Sequence, residues 1–152
     1  MMAINFRWRA DHLPLRLLTA TALVIDAVVH IQLAHRYDLN VEGALSQGEL
    51  FRIEGGVATL AAALILLAAN RTTWALAFGT AASALGAALL YRYVDIGPLG
   101  PLPDMYEPYW YPAKVVASVA EAAGTAAAAV GLMHRLSTRS RTSSTNLTRG
   151  TL

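Results

Sequence analysis

Four long apolar stretches constrain this 152-residue chain more than any other feature. A helix needs about 20 mainly apolar residues to cross roughly 30 Å of hydrocarbon. Four segments meet that length, at about Leu13–Arg36, Gly48–Ala69, Thr73–Val94 and Pro112–His134. A soluble helical core would instead need polar faces on these helices, and the third segment has almost none. The sequence therefore predicts an all-α fold, a four-transmembrane-helix bundle formed by residues 1–136.

Composition agrees with a membrane location and excludes several kinds of chemistry. The chain is 55% hydrophobic and 14% charged, whereas soluble domains carry about 25% charged residues. It contains no cysteine, which excludes disulfides, thiolate metal sites and thiol redox chemistry. The apolar stretch 17–34 follows several arginines, as in a secretory signal, but it is too long and contains Asp26 and His30. We interpret it as a retained first span.

The distribution of basic residues predicts the orientation of the bundle, because Lys and Arg in short loops collect on the cytoplasmic side of a membrane. Eight of the twelve basic residues fall on the side of the termini: Arg7, Arg9, Arg16, Arg71, Arg135, Arg139, Arg141 and Arg149. The other four are Arg36, Arg52, Arg92 and Lys114. We therefore expect an N-in/C-in, multi-pass protein of the bacterial inner or plasma membrane. Its main partner is then the lipid bilayer, and no nucleic acid is expected.

The connections between the spans carry local signals. Ser46 and Glu49 are spaced as a capping box at the start of the second helix. Residues 70–73 form a very short link, which predicts a tight antiparallel hairpin of the second and third spans. Asp95–Pro112 contains five of the six prolines and cannot be a regular helix. Its aromatic side chains predict either a lid over the bundle or an aromatic belt at the membrane surface.

Two further features concern partners and the C-terminus. Glycine and alanine dominate the helices, which lets helix backbones approach closely in lipid. The same composition could serve a homo-oligomer or a partner in a larger membrane complex. Residues 137–152 are rich in Ser, Thr and Arg, and we expect them to form a disordered basic cytoplasmic tail.

Ionisable groups inside the spans are the strongest functional signal, because such groups are costly in hydrocarbon and usually face the bundle interior. Asp26 and His30 are four residues apart and share one face of the first helix. Lys114, Ser118 and Glu121 make a similar stripe on the fourth. The candidate residues of a ligand-binding cavity are Asp26, His30, Arg52, Glu54, Arg92, Lys114 and Glu121.

The depths of these groups predict a funnel. At about 1.5 Å per residue, Asp26 and Glu121 lie roughly 14 Å below the outer surface, and His30 and Glu54 roughly 9 Å. No ionisable side chain occupies the cytoplasmic half of the helices until their ends. We expect a polar cavity that opens to the outside and is sealed within. The same network could instead be structural and tie the four helices together.

A metal ion would use the same residues. Asp26, His30, Glu54 and Glu121 offer one nitrogen and several carboxylate oxygens, a donor set that suits zinc, manganese or iron. Only one histidine lies deep in the bundle, whereas metal sites usually show more convergent ligands. The histidine positions also do not favour a bis-histidine haem. We therefore predict no cofactor.

Two stretches resemble known groups of membrane proteins. Gly48-Glu49 through Glu54-Gly55, followed by Leu64 to Arg71 and another apolar helix, resembles the DoxX-like group of small four-helix membrane proteins. Residues 95–111 are similar to uncharacterised membrane proteins of actinobacteria, the high-GC Gram-positive bacteria. The first resemblance implies a four-helix fold, and some DoxX relatives are linked to sulfur or quinone redox chemistry. No motif in this chain maps to that chemistry, so no activity is carried over.

These observations lead to one hypothesis and two alternatives. The leading hypothesis is an accessory membrane protein whose outward-facing polar cavity binds a small ligand or a proton. The first alternative is a DoxX-like membrane oxidoreductase subunit that uses a quinone or a metal in the cavity. The second is a structural subunit of a larger membrane complex. The sequence identifies no catalytic residue and leaves open whether the protein is an enzyme.

Overall fold

Four helices account for most of the described chain. The computed structural model describes the backbone of residues 13–39 and 44–149, with side chains as far as Arg135. The helices are α1 Leu13–Ala34, α2 Gln47–Leu67, α3 Arg71–Tyr93 and α4 Pro112–Arg149. A 3-10 turn, His35–Tyr37, extends α1. Within these described ranges the only strand-like pairing is an isolated bridge between Leu99 and Leu102.

All four helices are long and apolar enough to cross a membrane. The qualifying segments are Leu13–Tyr37, Gln47–Leu67, Arg71–Tyr93 and Pro112–Arg135. Their ends fall within about two residues of the predicted spans, which is the usual uncertainty of helix boundaries. The prediction of an all-α protein with four membrane-length helices is confirmed.

Capping boxes start α2 and α3. At α2, the Ser46 hydroxyl accepts the Glu49 N–H at 3.0 Å, and the Glu49 carboxylate accepts the Ser46 N–H at 2.7 Å. This is the predicted box. At α3, Asn70 and Thr73 make the same reciprocal pair at 3.0 Å in each direction. This second box was not predicted, and α3 accordingly begins two residues earlier than expected, at Arg71.

Consecutive helices run antiparallel, and small residues allow close approach between them. A Cβ at Gly55 of α2 would lie 3.2 Å from the Ala27 carbonyl of α1. A Cβ at Gly124 of α4 would lie 3.3 Å from the Cβ of Ala22 and 3.4 Å from that of Ala81. Such approaches are the main source of packing energy between helices in lipid, where apolar burial adds little.

The bundle has two unlike halves. We call the half next to the α2–α3 link (residues 68–70) the link half, and the half next to residues 94–111 the loop half. In the link half, a buried apolar cluster surrounds Trp74, Leu23 and Ile65. Although α2 and α3 are joined by a short link, they pack less extensively on each other than either does on its other neighbour. The predicted hairpin therefore splays apart as it enters the loop half.

Apolar and polar side chains are distributed as in a membrane protein. Large apolar side chains are exposed on the outer faces of the helices, for example Leu18, Ile31 and Leu60. By contrast, Asp26 and Glu121 are only 1% and 2% exposed. A soluble protein would show the opposite pattern, because charged side chains are almost never fully buried in water unless paired. The inward direction of these polar groups is the one that lipid favours.

The segment between α3 and α4 is irregular, as its prolines require. Gly97 and Gly100 adopt positive φ values of 63° and 59°, a conformation that glycine reaches without steric penalty. Gly100 lies in a tight turn closed by two backbone hydrogen bonds of 3.1 Å between Leu99 and Leu102. The segment is also tied to the start of α2, because the Leu45 N–H donates to the Pro101 carbonyl at 3.1 Å.

The backbone of α4 continues as a helix beyond the predicted end of the fourth span, through residues 137–149. Neither proline nor glycine occurs between Gly131 and Gly150, so no strong stop signal ends the helix at the predicted boundary. Residues 150–152 lie outside the described part of the chain. Arg7 and Arg9 also lie outside it, as do the side chains of the basic residues beyond Arg135. The predicted orientation of the bundle depends in part on these residues.

Candidate functional site

A cavity of about 540 Å³ lies in the loop half, between the four helices and the segment that covers them. Small-molecule sites usually enclose about 300–1,000 Å³. Apolar side chains form most of its wall, among them Val29, Leu33, Leu50, Phe51, Ile53, Ala84, Ala87, Ala88, Leu90, Leu102, Met105 and Ala117. Its polar lining is His30, Gln47, Glu54, Ser83, Tyr91, Glu107, Tyr111, Lys114, Ser118 and Glu121.

The cavity exists because α2 and α3 diverge where α3 carries a run of small side chains. Ala84, Ala87 and Ala88 face the space and cannot fill it. Ile53 of α2 and Leu90 of α3 line the cavity on either side of the gap between these helices. Both are also exposed, Ile53 by 55% and Leu90 by 43%. The cavity therefore reaches the outer surface of the bundle between α2 and α3, in addition to approaching the covering segment.

Asp26, His30 and Glu121 converge at the inner end of the cavity, and we call these three side chains the floor cluster. Each presents one nitrogen or oxygen atom within 4.8 Å of those of the other two. Nδ1 of His30 lies 2.8 Å from Oδ1 of Asp26 and 3.0 Å from the Asp26 backbone carbonyl oxygen. The structure thus brings together three of the predicted site residues, from α1 and α4.

The floor cluster is short of hydrogen-bond donors. Among the described groups, none donates a hydrogen bond of good geometry to either carboxylate oxygen of Asp26 or to Oε2 of Glu121. His30 is close enough to Asp26 for an ion pair, but its Nδ1 is aligned for a hydrogen bond with the carbonyl rather than with the carboxylate. In the part of the chain with described side chains, no lysine or arginine pairs with these acids. Buried carboxylates are costly without a compensating cation or proton.

Glu54 lies in the cavity wall rather than in the floor cluster. Its Oε1 is buried and has no hydrogen-bond partner among the described atoms. The hydroxyl of Ser118, across the cavity on α4, is in the same condition. Each of these two cavity-lining residues therefore keeps a buried polar atom whose hydrogen-bonding capacity is unused.

Glu107 fastens the covering segment to three helices. The Tyr37 hydroxyl lies 2.9 and 3.0 Å from its two carboxylate oxygens, and the Tyr111 hydroxyl donates to one of them at 3.3 Å. Lys114 Nζ donates to the Glu107 carbonyl at 2.7 Å, and the Glu107 N–H donates to the Tyr91 carbonyl at 2.9 Å. Burial raises the pKa of the Tyr111 hydroxyl, which keeps it a neutral donor near pH 7.

The covering segment combines features of the predicted lid and the predicted aromatic belt. Leu102 and Met105 line the cavity from above. The Trp110 ring centre lies 5.8 Å from Lys114 Nζ and 5.8 Å from the guanidinium carbon of Arg92. Tyr109, in contrast, is largely exposed and directed away from the cavity. The segment therefore covers the mouth while it also presents an aromatic side chain outward.

The two predicted residues at the mouth differ in position. Lys114 is buried and lines the cavity. Arg92 is not part of the lining, and its guanidinium stacks on the rings of Tyr93, at 4.9 Å, and Trp110. Contacts of this kind hold the covering segment by cation–π attraction. Lys114 therefore belongs to the cavity, and Arg92 supports its cover.

Arg52 is a predicted cavity residue that lies elsewhere. Its guanidinium binds Asp38 with two N–O distances of 2.7 and 2.8 Å, on the surface next to the 3-10 turn. This pairing lowers the pKa of the Asp38 carboxyl below its ordinary value. The physical reason is helical periodicity, because residues two positions apart on a helix do not face the same way. With Glu54 directed inward, Arg52 is directed outward.

Two contributors to the site, Phe51 and Glu107, were not predicted from the sequence. Phe51 packs its ring edge-on against His30 and Tyr37, with centroid distances of 5.2 Å in both cases. Its position three residues before Glu54, on the same helix face, was an available signal. Glu107 gave no comparable signal, because its role depends on how an irregular segment folds back onto three helices.

The arrangement offers an apolar chamber with polar groups of Glu54 and Ser118 in its wall and two buried carboxylates beside His30 at its inner end. It is suited to hold a small molecule, or a cation at the floor cluster. Comparisons with protein-family models, curated proteins and solved structures found no match to this chain.

Proposed function

We propose that this protein binds a small, mostly apolar molecule in the cavity of the loop half and acts as an accessory protein of the cell membrane. The observation that carries the proposal is the cavity itself, with a volume of about 540 Å³ and a mainly aliphatic wall. A void of this size forfeits contact energy that closer packing would supply. A bound molecule that fills it recovers this energy.

The route of entry supports a ligand dissolved in the bilayer. The exposed cavity-lining residues Ile53 and Leu90 flank the gap between α2 and α3 on the outer, apolar surface of the bundle. Above the cavity, Glu107 ties the covering segment to Tyr37 and Lys114. A lipophilic molecule that enters sideways from lipid does not have to displace these contacts.

Glu54 and Ser118 provide the expected recognition of a polar group on the ligand. Each has a buried oxygen without a hydrogen-bond partner in the described structure. A ligand hydroxyl, amide or amine would satisfy these atoms, and a hydrogen bond to a charged partner contributes about 1.5–3 kcal/mol. The ligand class is therefore an amphipathic molecule with an apolar body and one hydrogen-bond-donating group.

Native mass spectrometry of the full chain, purified in mild detergent, tests the proposal. We expect a small organic molecule to copurify with the wild-type protein. Ala88→Trp, which fills the cavity, should abolish it. Ala75→Trp, on an exposed face of the same helix, should retain it. If no molecule copurifies, or if both variants retain it, the cavity is not its binding site.

The polar contacts have a separate test with the copurified molecule. Glu54→Gln and Ser118→Ala should each weaken its binding by about tenfold, which corresponds to about 1.4 kcal/mol. Glu49→Gln, in the capping box outside the cavity lining, serves as the control and should leave affinity unchanged. Unchanged affinity in both cavity variants would exclude hydrogen-bond recognition by these residues.

The proposed placement has both termini in the cytoplasm and the cavity in the outer half of the membrane. The excess of basic residues on the side of the termini supports it. A reporter that works only in the cytoplasm should be active when fused after Arg71 or Leu152, and inactive after Glu42 or Asp104. The reverse pattern would turn the cavity toward the cytoplasm.

A further inference from the structure

We propose that the floor cluster is a binding site for a divalent transition-metal ion, with Asp26, His30 and Glu121 as its protein ligands. This inference goes beyond the binding of an organic molecule and stands whether or not the cavity holds one. It starts from the geometry of three side chains that come from two helices and meet at the inner end of the cavity.

The interatomic distances suit coordination. Zn²⁺ bonds to imidazole nitrogen and carboxylate oxygen are about 2.0–2.2 Å long, so neighbouring ligand atoms lie about 3 Å apart. Nδ1 of His30 and Oδ1 of Asp26 are 2.8 Å apart, and an ion bound at Nδ1 would replace the proton that this nitrogen directs at Asp26. The Glu121 ligand atom lies within 4.8 Å of those of both other residues.

Burial without partners is the second, independent observation. Asp26 is 1% exposed, and neither of its carboxylate oxygens receives a hydrogen bond from any described group. Glu121 is 2% exposed, and its Oε2 is equally unpartnered. Two buried carboxylates that approach each other need a cation or a shared proton between them, and a divalent cation supplies two positive charges.

The donor set narrows the ion to a class. One imidazole with two carboxylates suits Zn²⁺, Mn²⁺ or Fe²⁺, whereas Mg²⁺ and Ca²⁺ prefer oxygen ligands alone. His30 and Glu121 line the cavity, so an ion can enter from it. The edge-on contact of Phe51, at 5.2 Å and 84°, holds the imidazole ring in place. Coordination positions that face the cavity stay open to water or to a ligand.

Titration of the metal alone tests the site. The full-length protein in detergent is stripped with a chelator, desalted, and titrated with Zn²⁺ and separately with Mn²⁺ by calorimetry, with metal analysis after desalting. We expect one equivalent of Zn²⁺ per chain. Asp26→Asn, His30→Gln and Glu121→Gln should each weaken binding at least about tenfold. Asp38→Asn and Glu49→Gln, which alter carboxylates outside the cavity, should bind as the wild type does.

Two results would overturn the proposal. One is the absence of stoichiometric binding of either metal by the wild-type chain, in which case the carboxylates share a proton instead. The other is equal affinity in the wild type and in the three floor-cluster variants, which would put the ion elsewhere.

X-ray absorption of the Zn²⁺-loaded wild type gives a reading that needs no variant, in case a variant does not fold. One imidazole with oxygen ligands is expected. Two or more imidazoles would contradict the assignment, because the floor cluster holds a single histidine.

Discussion

The link half and the loop half are built from the same four helices and the same kinds of small residue, yet one is filled and the other contains a cavity. In the link half, Trp74 occupies the space between the helices and is 1% exposed, and Gly131 leaves room for its ring. In the loop half, the matching face of α3 carries Ala84 and Ala88, which leave the space empty. Small residues close a bundle only where a large side chain fills its centre.

The two halves also differ in how far their polar groups are satisfied by hydrogen bonds. In the link half, Arg16 donates to the backbone carbonyls of Ile65 and Leu66 at the end of α2, and the Thr19 hydroxyl donates to the Leu15 carbonyl at 2.9 Å. In the loop half, the floor cluster and Glu54 keep unpartnered oxygens. Departures from good packing and from hydrogen-bond satisfaction are expected at functional sites, and around the cavity the two occur together.

Trp74→Ala is expected to have the largest effect on stability. Removal of a fully buried aromatic side chain usually lowers the free energy of unfolding by about 3–5 kcal/mol. Trp110→Ala, in the covering segment, loses mainly cation–π contacts, so about 1 kcal/mol or less is expected. Unfolding of both variants in mixed micelles measures the difference. Equal losses would mean that the two halves contribute equally to stability.

Gly131→Ala should have the next largest effect. The added methyl group would overlap the Trp74 ring, and overpacking of this kind lowers stability by about 1–3 kcal/mol. Gly79→Ala is the matched control, because a Cβ there meets nothing within 4 Å. Better helix propensity should stabilise that variant by up to about 1 kcal/mol. The melting temperature should fall in Gly131→Ala and rise in Gly79→Ala. An unchanged melting temperature in Gly131→Ala would show that the link half can accommodate the added methyl group.

Glu121→Leu should raise the stability of the metal-free protein by about 1 kcal/mol, because it removes a buried carboxylate whose Oε2 lacks a hydrogen-bond partner and puts an apolar group of similar size in its place. Unfolding in the presence of a chelator measures the change, with Glu121→Gln as the comparison that removes the charge but keeps a polar group. A clear loss of stability in Glu121→Leu would instead support the structural reading, in which the polar network ties the helices together.

Arg52→Gln should have the smallest effect, because the Arg52–Asp38 pair lies on the surface. Its guanidinium lowers the pKa of Asp38 in the folded protein, so any stabilisation is present above the ordinary carboxyl range and is lost as the pH falls through the lowered pKa. In the variant, NMR titration of the labelled Asp38 carboxyl should give a pKa nearer its ordinary value. Arg71→Gln, at the opposite end of the bundle, should leave it unchanged.

Local patterns predicted much of this architecture. The lengths of the apolar stretches located the four helices, and the spacing of Ser46 and Glu49 located the start of α2. The inward direction of Asp26 and Glu121 followed from the energetic penalty of a charge in lipid. The same reasoning failed for Arg52, because it treated every charge in a span as inward, although one near the helix end can reach a surface partner.

The sequence by itself determined which segments are helical and which residues are too polar to face lipid, because hydropathy and helical periodicity depend only on near neighbours along the chain. The tertiary structure alone decided that α2 and α3 diverge, that Glu107 ties the cover to three helices, and that Asp26, His30 and Glu121 meet with atoms left unpartnered. These outcomes depend on how side chains from distant segments fill, or fail to fill, a shared space, and such packing has no counterpart in the pattern of any single segment.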